Sequence, residues 1–142
     1  MRDSAKPMNT RDLVGCFYEE IWNCGNKAKI PELLHESFTF RGSLGHTKRG
    51  HDAFAGYVEF VRDALSEYRC EIQEIVCEGS KVFAKVLFSG VHHKEFLGYP
   101  ATFRRVEWIG AAPFKVDGNK FSDLWVLGDL DALREQLSAG SK

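Results

Sequence analysis

The sequence predicts an α+β fold in which helices pack on the concave face of a curved antiparallel sheet. Apolar residues recur at helical spacing in the first half of the chain, and they alternate along three strands in the second half, at residues 81–92, 102–114 and 120–127. The pair Asp117-Gly118 between the last two strands favours a tight hairpin turn. Helices grouped early and hairpins grouped late are typical of this fold class. We expect a cone-shaped cavity between the sheet and its helices.

Composition limits the class of protein. A chain of 142 residues forms one ordinary domain; we place it at residues 10–138, with a disordered leader at 1–9 and a tail at 139–142. A net charge of −1 argues against nucleic acid as a partner. The absence of a run of roughly 18 apolar residues argues against a membrane span, and the polar amino terminus lacks the apolar centre of a signal peptide. We therefore expect a cytoplasmic protein.

Cysteines and histidines do not predict a metal site. The four cysteines form no C-x-x-C pair, so we expect reduced, partly buried thiols. His92 and His93 are adjacent on a predicted strand, where neighbouring side chains point to opposite faces. They cannot both bind one ion without a bulge, and no carboxylate–histidine cluster accompanies them.

Helices are predicted from apolar periodicity at residues 10–23, 29–34, 52–65 and 130–137. The first has Thr10 as its N-cap and ends before Gly25, which suits a left-handed C-cap. The second carries Pro31 in its first turn. Asp129 is placed to cap the last helix.

Further strands are predicted at residues 37–41 and from residue 69 onward, the latter with a bulge near Glu74. The strand at 81–92 carries apolar residues at both parities, so we expect both of its faces to be covered. Pro113 cannot donate a ladder hydrogen bond, and it predicts an edge position or a bulge in its strand.

Family-like motifs follow one another between Leu13 and Leu137. They are Lys48-Arg49-Gly50, Glu78-Gly79-Ser80-Lys81-Val82, Ser89-Gly90-Val91-His92, Phe96-Leu97-Gly98-Tyr99-Pro100 with Thr102 and Arg105-Val106, Phe114-Lys115-Val116-Asp117-Gly118, and Trp125 with Asp129 and Leu133-Arg134-Glu135-Gln136-Leu137. In this order and spacing the chain resembles the SnoaL-like polyketide (ester) cyclases, within the superfamily of nuclear transport factor 2 and ketosteroid isomerase.

The resemblance implies a cone-shaped α+β barrel that is often dimeric through the outer face of its sheet, so we expect a homodimer. It also implies a hydrophobic pocket for a small polycyclic or aromatic carbonyl compound. The cyclases use no cofactor or metal, and none is expected here. In them an acid/base Asp moves a proton next to a carbonyl, and an intramolecular aldol closure follows.

The chain departs from this pattern at the positions that carry the chemistry. The cyclases place an Asp directly after the Trp of the last strand, where this chain has Val126. The polar partners of that Asp match Gly110 and Ala112, and we expect these small residues to enlarge the cavity and make it more apolar. The isomerase branch keeps its base Asp at the end of the first strand, where this chain reads Phe40-Arg41-Gly42.

Two residues remain as candidate acid/base groups. His92 matches a His common in the family and can titrate near neutrality; the alternative is that it caps a strand or bonds a backbone carbonyl. Asp129 lies within reach of the pocket mouth, although its place before the last helix favours the N-cap role.

The predicted ligand-binding residues are mostly aromatic or small, with Trp108 and Trp125 as pocket walls. They are Phe17, Phe40, Tyr57, Phe88, Trp108, Gly110, Ala112, Trp125 and Val126.

Two hypotheses about the function follow. The first is a cyclase or isomerase that acts on a small hydrophobic carbonyl compound, and the second is a non-catalytic ligand-binding or dimeric interaction module of the same fold.

Overall fold

A computed structural model describes residues 9–139 of the chain, so the predicted leader and tail lie almost entirely outside the described residues. In chain order the elements are α1 (Thr10–Cys16), a π-helical segment (Phe17–Asn23), a 3-10 turn (Lys27–Lys29), α2 (Ile30–Leu33), β1 (Leu34–Arg41), β2 (Thr47–Arg49), α3 (His51–Ala64), β3 (Leu65–Glu78), β4 (Lys81–His92), β5 (Arg105–Asp117), β6 (Lys120–Trp125), β7 (Leu127–Gly128) and α4 (Leu130–Ala139).

The strands form one curved, unclosed sheet in the order β2-β1-β6-β5-β4-β3, with β7 paired to β5. All pairs are antiparallel except that of β1 with β6. The predicted α+β class, a curved sheet with helices on its concave face, is confirmed. The longest ladders, β3–β4 and β4–β5, form its centre.

One face of the central strands is buried, and the other is partly exposed. Every second side-chain position of β4 and β5 is buried, and the register pairs Phe88 with Trp108 and Ala84 with Ala112, so these positions share one face. The prediction that both faces of β4 are largely covered holds only in part for the single chain: Leu87 and Val91 on the other face are half-buried, but Phe83 is 43% exposed.

Aromatic rings fill the space between the helices and the buried face. Phe17 on the π-helical segment lies 5.4 Å from Phe114 and 5.7 Å from Phe121, measured between ring centroids. Phe54 on α3 lies 4.9 Å from Phe40 on β1. Such edge-to-face contacts stabilise each pair by about 0.5–1.5 kcal/mol beyond the burial of its area.

Several predicted boundaries move for local physical reasons. Asn9 caps the first helix in place of Thr10, because its backbone is extended and its side chain accepts a bond from the Asp12 amide. The strand predicted to begin at residue 102 begins at Arg105, since residues 93–104 form a loop closed by a bridge between Phe96 and Tyr99. The bulge near Glu74 is confirmed as a register shift between β3 and β4.

Pro113 does not lie on an edge strand, because β5 lies between β4 and β6. The partner strand is broken instead. Trp125 ends β6, the Val126 amide donates to the carbonyl of Arg41, and pairing with β5 resumes at Leu127. Proline is therefore accommodated in a central strand at an interruption of its neighbour.

No helix between residues 9 and 139 has the length and apolar character needed to cross a membrane. The cytoplasmic location stays a prediction.

Gly110 is a site where one added methyl group is expected to destabilise the fold. A Cβ there would lie 2.4 Å from Cε2 of Phe88, so Gly110→Ala forces the ring to shift and should lower the free energy of unfolding by about 1–3 kcal/mol. The matched control is Gly56→Ala in α3, where nothing lies within 4 Å of an added Cβ. That variant should gain about 0.5–1 kcal/mol. Urea unfolding measures both, and equal stability of Gly110→Ala and wild type would contradict the packing argument.

Candidate functional site

A small cavity, called here the inner cavity, lies between the helices and the buried face of the sheet. Its volume of about 20 Å³ holds one water molecule. Most of its walls are aromatic rings. It is lined by Tyr18, Trp22, Phe40, Gly42, Ser43, Leu44, Tyr57, Val61, Tyr68, Phe88, Phe96, Trp108, Leu124 and Val126.

The polar side-chain groups of the lining residues are the hydroxyls of Tyr18, Ser43, Tyr57 and Tyr68 and the indoles of Trp22 and Trp108. Trp108 donates from Nε1 to Oγ of Ser43 at 3.3 Å. The backbone of Leu44 hydrogen-bonds the Tyr57 hydroxyl, and the Tyr68 side chain bonds that of Cys70. No Asp, Glu or His stands among the lining residues of the described chain, so the cavity offers neutral groups alone.

Burial keeps the cavity phenols protonated. It is the main cause that raises the pKa of Tyr18, Tyr57 and Tyr68 above that of an exposed tyrosine. The backbone contact of Leu44 opposes this rise at Tyr57, but only in part. The phenols therefore act as hydrogen-bond donors and acceptors and not as bases near neutral pH.

The Tyr18 hydroxyl is buried and has no hydrogen-bond partner among the described residues. The residue is 3% exposed, and its ring packs against Phe17 and Phe114 at 5.0 and 5.9 Å. Leaving a buried donor unsatisfied costs about 1–3 kcal/mol. A water or a ligand oxygen in the inner cavity would remove that cost.

The π-helical segment places Tyr18 and Trp22 on the same wall, since the two are four residues apart. Hydrogen bonds from β3 and from α3 hold the end of the π-helical segment. The Asn23 side chain accepts from the Cys70 amide at 2.7 Å and donates to the Cys70 carbonyl at 3.1 Å. Arg62 Nη1 donates to the carbonyl of Trp22 at 2.5 Å. Wide helical turns of this kind recur at functional sites.

His92 is fully buried but does not line the inner cavity. Its Nδ1 accepts from the Thr102 amide at 3.2 Å and lies 3.0 Å from the Thr102 hydroxyl. That contact assigns the proton of the neutral ring to Nε2, which makes no hydrogen bond of ordinary geometry. Burial lowers the pKa of His92, and backbone contacts with Tyr99 and Lys94 oppose this. The ring thus anchors the loop of residues 93–104 to the end of β4.

The inner cavity brings together five of the nine predicted ligand-binding residues: Phe40, Tyr57, Phe88, Trp108 and Val126. Phe17 and Ala112 are buried in the core beside it. Gly110 does not enlarge the cavity as expected, because the Phe88 ring occupies the space that it leaves.

Trp125 is not a wall of the inner cavity. Strand parity turns its side chain to the outer face of the sheet, where it is 45% exposed and lies 5.0 Å from the Arg41 guanidinium. Asp129 is an exposed N-cap whose Oδ1 accepts from the Ala132 amide at 3.1 Å, so it does not reach the inner cavity.

Nine lining residues of the inner cavity are not among the predicted ligand-binding residues, and they include Tyr18, Ser43, Tyr68 and Phe96. Tyr18 lies on the apolar stripe of the first helix, and its hydroxyl on that stripe was the available signal. Ser43 and Phe96 come from loops, whose paths local patterns do not fix.

Comparisons with known proteins agree on the fold. The family profile described as SnoaL-like polyketide cyclase matches residues 12–137. IdmH from Streptomyces antibioticus, proposed to be a polyketide cyclase, is 21% identical over 92% of this chain and 99% of its own, with a TM-score of 0.81.

Two other solved structures are similar. A proposed SnoaL-like polyketide cyclase from Jannaschia is 16% identical over 98% of both chains, with a TM-score of 0.84. A hypothetical protein with a ketosteroid isomerase-like fold from Catenulispora acidiphila, solved with trimethylamine, is 15% identical over 92% of this chain and 95% of its own, with a TM-score of 0.76. No functionally curated protein matches significantly. At these identities the solved structures show the fold alone.

The burial of His92 predicts a loss of stability in acid. The unfolded side chain has a pKa near 6.5 and the folded one a lower pKa. Below about pH 6.5 the unfolded state therefore binds a proton that the folded state does not. Above that pH, neutral His92 makes its full contribution to the free energy of unfolding. As the pH drops toward the pKa of the folded state, this contribution falls by at most about 1.4 kcal/mol per pH unit.

His92→Asn keeps an acceptor for the Thr102 amide and removes the titration. Urea unfolding between pH 7.5 and 5 should give a shallower pH dependence for this variant than for wild type. His93→Asn, at the exposed neighbouring position, is the control and should keep the wild-type slope. Identical slopes for all three proteins would show that His92 does not titrate on unfolding.

Proposed function

Because the chain belongs to the SnoaL-like polyketide cyclase family, we propose that it binds a small hydrophobic carbonyl compound at the inner cavity. The Tyr18 hydroxyl donates a hydrogen bond to the carbonyl oxygen of that compound. The single observation that carries the proposal is a buried phenol without a partner on the wall of an otherwise aromatic cavity.

The chemistry of the donor selects the ligand. A neutral phenol donates to a carbonyl oxygen, and that bond supplies the partner that Tyr18 lacks. An anionic ligand would enter a buried site without a positively charged side chain among its lining residues, which is costly. The site therefore favours an uncharged ketone, aldehyde or ester over a carboxylate.

Hydrogen bonding at this site also supports a reaction. Donation to a carbonyl oxygen draws electron density from the carbonyl carbon, which favours attack on that carbon and acidifies the neighbouring C–H groups. Negative charge that develops on the oxygen in a transition state would be held by the same donor. The lining residues of the described chain include no carboxylate or imidazole base. The proposed role is thus binding and polarisation of the carbonyl group, in a non-catalytic module or in a cyclase whose proton acceptor lies elsewhere.

Acid/base catalysis by His92 is the second candidate. It is supported by the burial of the ring, which lowers the pKa of His92 from that of free histidine and keeps the ring neutral near pH 7. Because the Thr102 amide donates to Nδ1 and leaves the proton on Nε2, the ring can accept a proton only after that hydrogen bond is released. This role requires the loop of residues 93–104 to move, because that loop separates the ring from solvent and His92 does not line the inner cavity. Turnover of an identified ketone that survives His92→Asn would exclude this candidate.

Dimerisation through the outer face of the sheet is also proposed. Exposed apolar side chains lie together there around a depression of about 560 Å³, among them Val76, Phe83 and Trp125. An apolar patch of this kind on a sheet face is typical of a surface that another chain covers. A second copy would bury Phe83 against its own counterpart or a neighbouring residue.

Tyr18→Phe should change stability and binding in opposite directions. Loss of the unsatisfied hydroxyl should raise the free energy of unfolding by about 1 kcal/mol, and loss of the donor should weaken carbonyl binding about 3- to 10-fold. Calorimetric titration compares 2-nonanone with 2-methyl-1-nonene, which has nearly the same shape without the oxygen. Wild type should prefer the ketone, and Tyr18→Phe should not.

Tyr99→Phe, outside the inner cavity, is the control and should keep the preference. The proposed hydrogen bond does not exist if wild type binds both compounds equally well. The same conclusion follows if Tyr18→Phe keeps the wild-type preference.

Phe83→Glu should abolish dimerisation. A carboxylate in the middle of the patch would have to be desolvated on association, so sedimentation should give the monomer mass at concentrations where wild type gives the dimer. Phe103→Glu, on the loop before β5 and 69% exposed, is the matched control and should remain dimeric. A monomeric wild type, or a Phe83→Glu dimer of wild-type affinity, would rule out this interface.

A further inference from the structure

A surface groove, called here the outer groove, lies between α3 and the connection from β1 to β2. Its volume is about 560 Å³. Apolar side chains and helix backbone form most of it, and charged groups of both signs stand on its rim. It is lined by Leu44, His46, Lys48, Asp52, Ala53, Gly56, Tyr57, Phe60 and Leu97.

The outer groove and the inner cavity share two walls. Leu44 and Tyr57 line both spaces. Phe60 in the groove lies 5.9 Å from Phe96 in the cavity, measured between ring centroids. A single layer of side chains therefore separates the two, and the bond between the Leu44 backbone and the Tyr57 hydroxyl holds part of it closed.

The two volumes decide where a ligand can lie. About 20 Å³ accommodates one water-sized group, so the body of a ring compound or an acyl chain does not fit the inner cavity as it stands. The groove, at about 560 Å³, lies within the range of roughly 300–1,000 Å³ that is typical of small-molecule sites. Only the end of a molecule reaches the Tyr18 hydroxyl.

We propose that the outer groove holds the apolar body of an elongated ligand, whose terminal carbonyl passes between Leu44 and Tyr57 into the inner cavity. This inference rests on the proposed function, because Tyr18 is taken to bind the carbonyl. It adds the substrate class: an uncharged chain of several carbon atoms that ends in a methyl ketone, aldehyde or similar small carbonyl group, and not a compact fused-ring compound buried within the cone.

Gly56 keeps the groove open. Glycine inside a helix is less stable than alanine by about 1 kcal/mol, and nothing lies within 4 Å of a Cβ placed on Gly56. The packing of the core therefore does not require a glycine here. A larger side chain at this position would project into the space that the proposed ligand body fills.

The experiment measures the affinity of straight-chain methyl ketones from 2-pentanone to 2-undecanone. All proteins carry Trp125→Phe, so the signal comes from Trp22 and Trp108, which line the inner cavity. In this background each added methylene should tighten binding about 3- to 4-fold until the groove is full, because apolar carbon leaves water.

Gly56→Leu should remove most of this dependence on chain length, since its side chain fills the outer groove. Gly15→Leu is the matched control, because an added Cβ on Gly15 of α1 also meets nothing within 4 Å. It should keep the wild-type dependence on chain length.

The outcomes separate this inference from the proposed function. An affinity that does not depend on chain length in the Trp125→Phe background, or the same dependence with and without Gly56→Leu, would overturn the groove as the site of the ligand body. Neither result affects the comparison of ketone and alkene with Tyr18→Phe. A dependence on chain length that Gly56→Leu removes, together with unchanged ketone preference in Tyr18→Phe, would keep the groove and overturn Tyr18 as the carbonyl donor.

Discussion

The inner cavity depends on how the π-helical segment is held against β3. The side chain of Asn23 makes two hydrogen bonds with the backbone of Cys70, one to its amide and one to its carbonyl. Arg62 reaches across from α3 and caps the end of the segment at the carbonyl of Trp22. Helix, sheet and second helix are thereby joined at one point, and the wall that carries Tyr18 and Trp22 is fixed relative to the sheet.

The hydroxyl of Tyr18 is a polar atom without a partner in the core of the protein. A tyrosine whose hydroxyl is unsatisfied is less stable than phenylalanine, and the surrounding rings would accept either. The neighbouring polar groups are already paired: Ser43 with Trp108, and Tyr57 with the backbone of Leu44. Tyr18 differs from them in having a buried hydroxyl without a partner, on a residue that lines a space with room for about one water molecule. A buried polar group without a partner is uncommon in a folded protein and calls for an explanation such as a bound water, an ion or a functional role.

Most of the fold could be predicted from the sequence, because it depends on alternation and on local turn chemistry. The buried parity of β4 and β5, the hairpin at Asp117-Gly118 and the N-cap at Asp129 all follow from a few neighbouring residues. The site could be predicted only in part, because it depends on contacts between distant segments. The small size of Gly110 predicted a larger cavity, but Phe88 on the adjacent strand fills that space. Trp125 was expected to be a pocket wall, but its side chain lies on the outer face, between the buried neighbours Leu124 and Val126.

Val126 stands where the resemblance to the cyclases implies an Asp, and this limits the chemistry that the cavity can perform. A carboxylate there would be buried among aromatic rings and would need a donor or a positive charge to remain ionised. With Val126 in its place the wall is apolar, and the remaining polar groups are neutral donors whose protonation does not change near neutral pH. Such a set can hold and polarise a carbonyl group over a wide pH range, but it cannot accept a proton from carbon. In any reaction at this site, the proton acceptor must therefore be a group of the substrate, a water molecule, or His92 after a movement that exposes it. The cavity itself would orient the carbonyl group and donate a hydrogen bond to it.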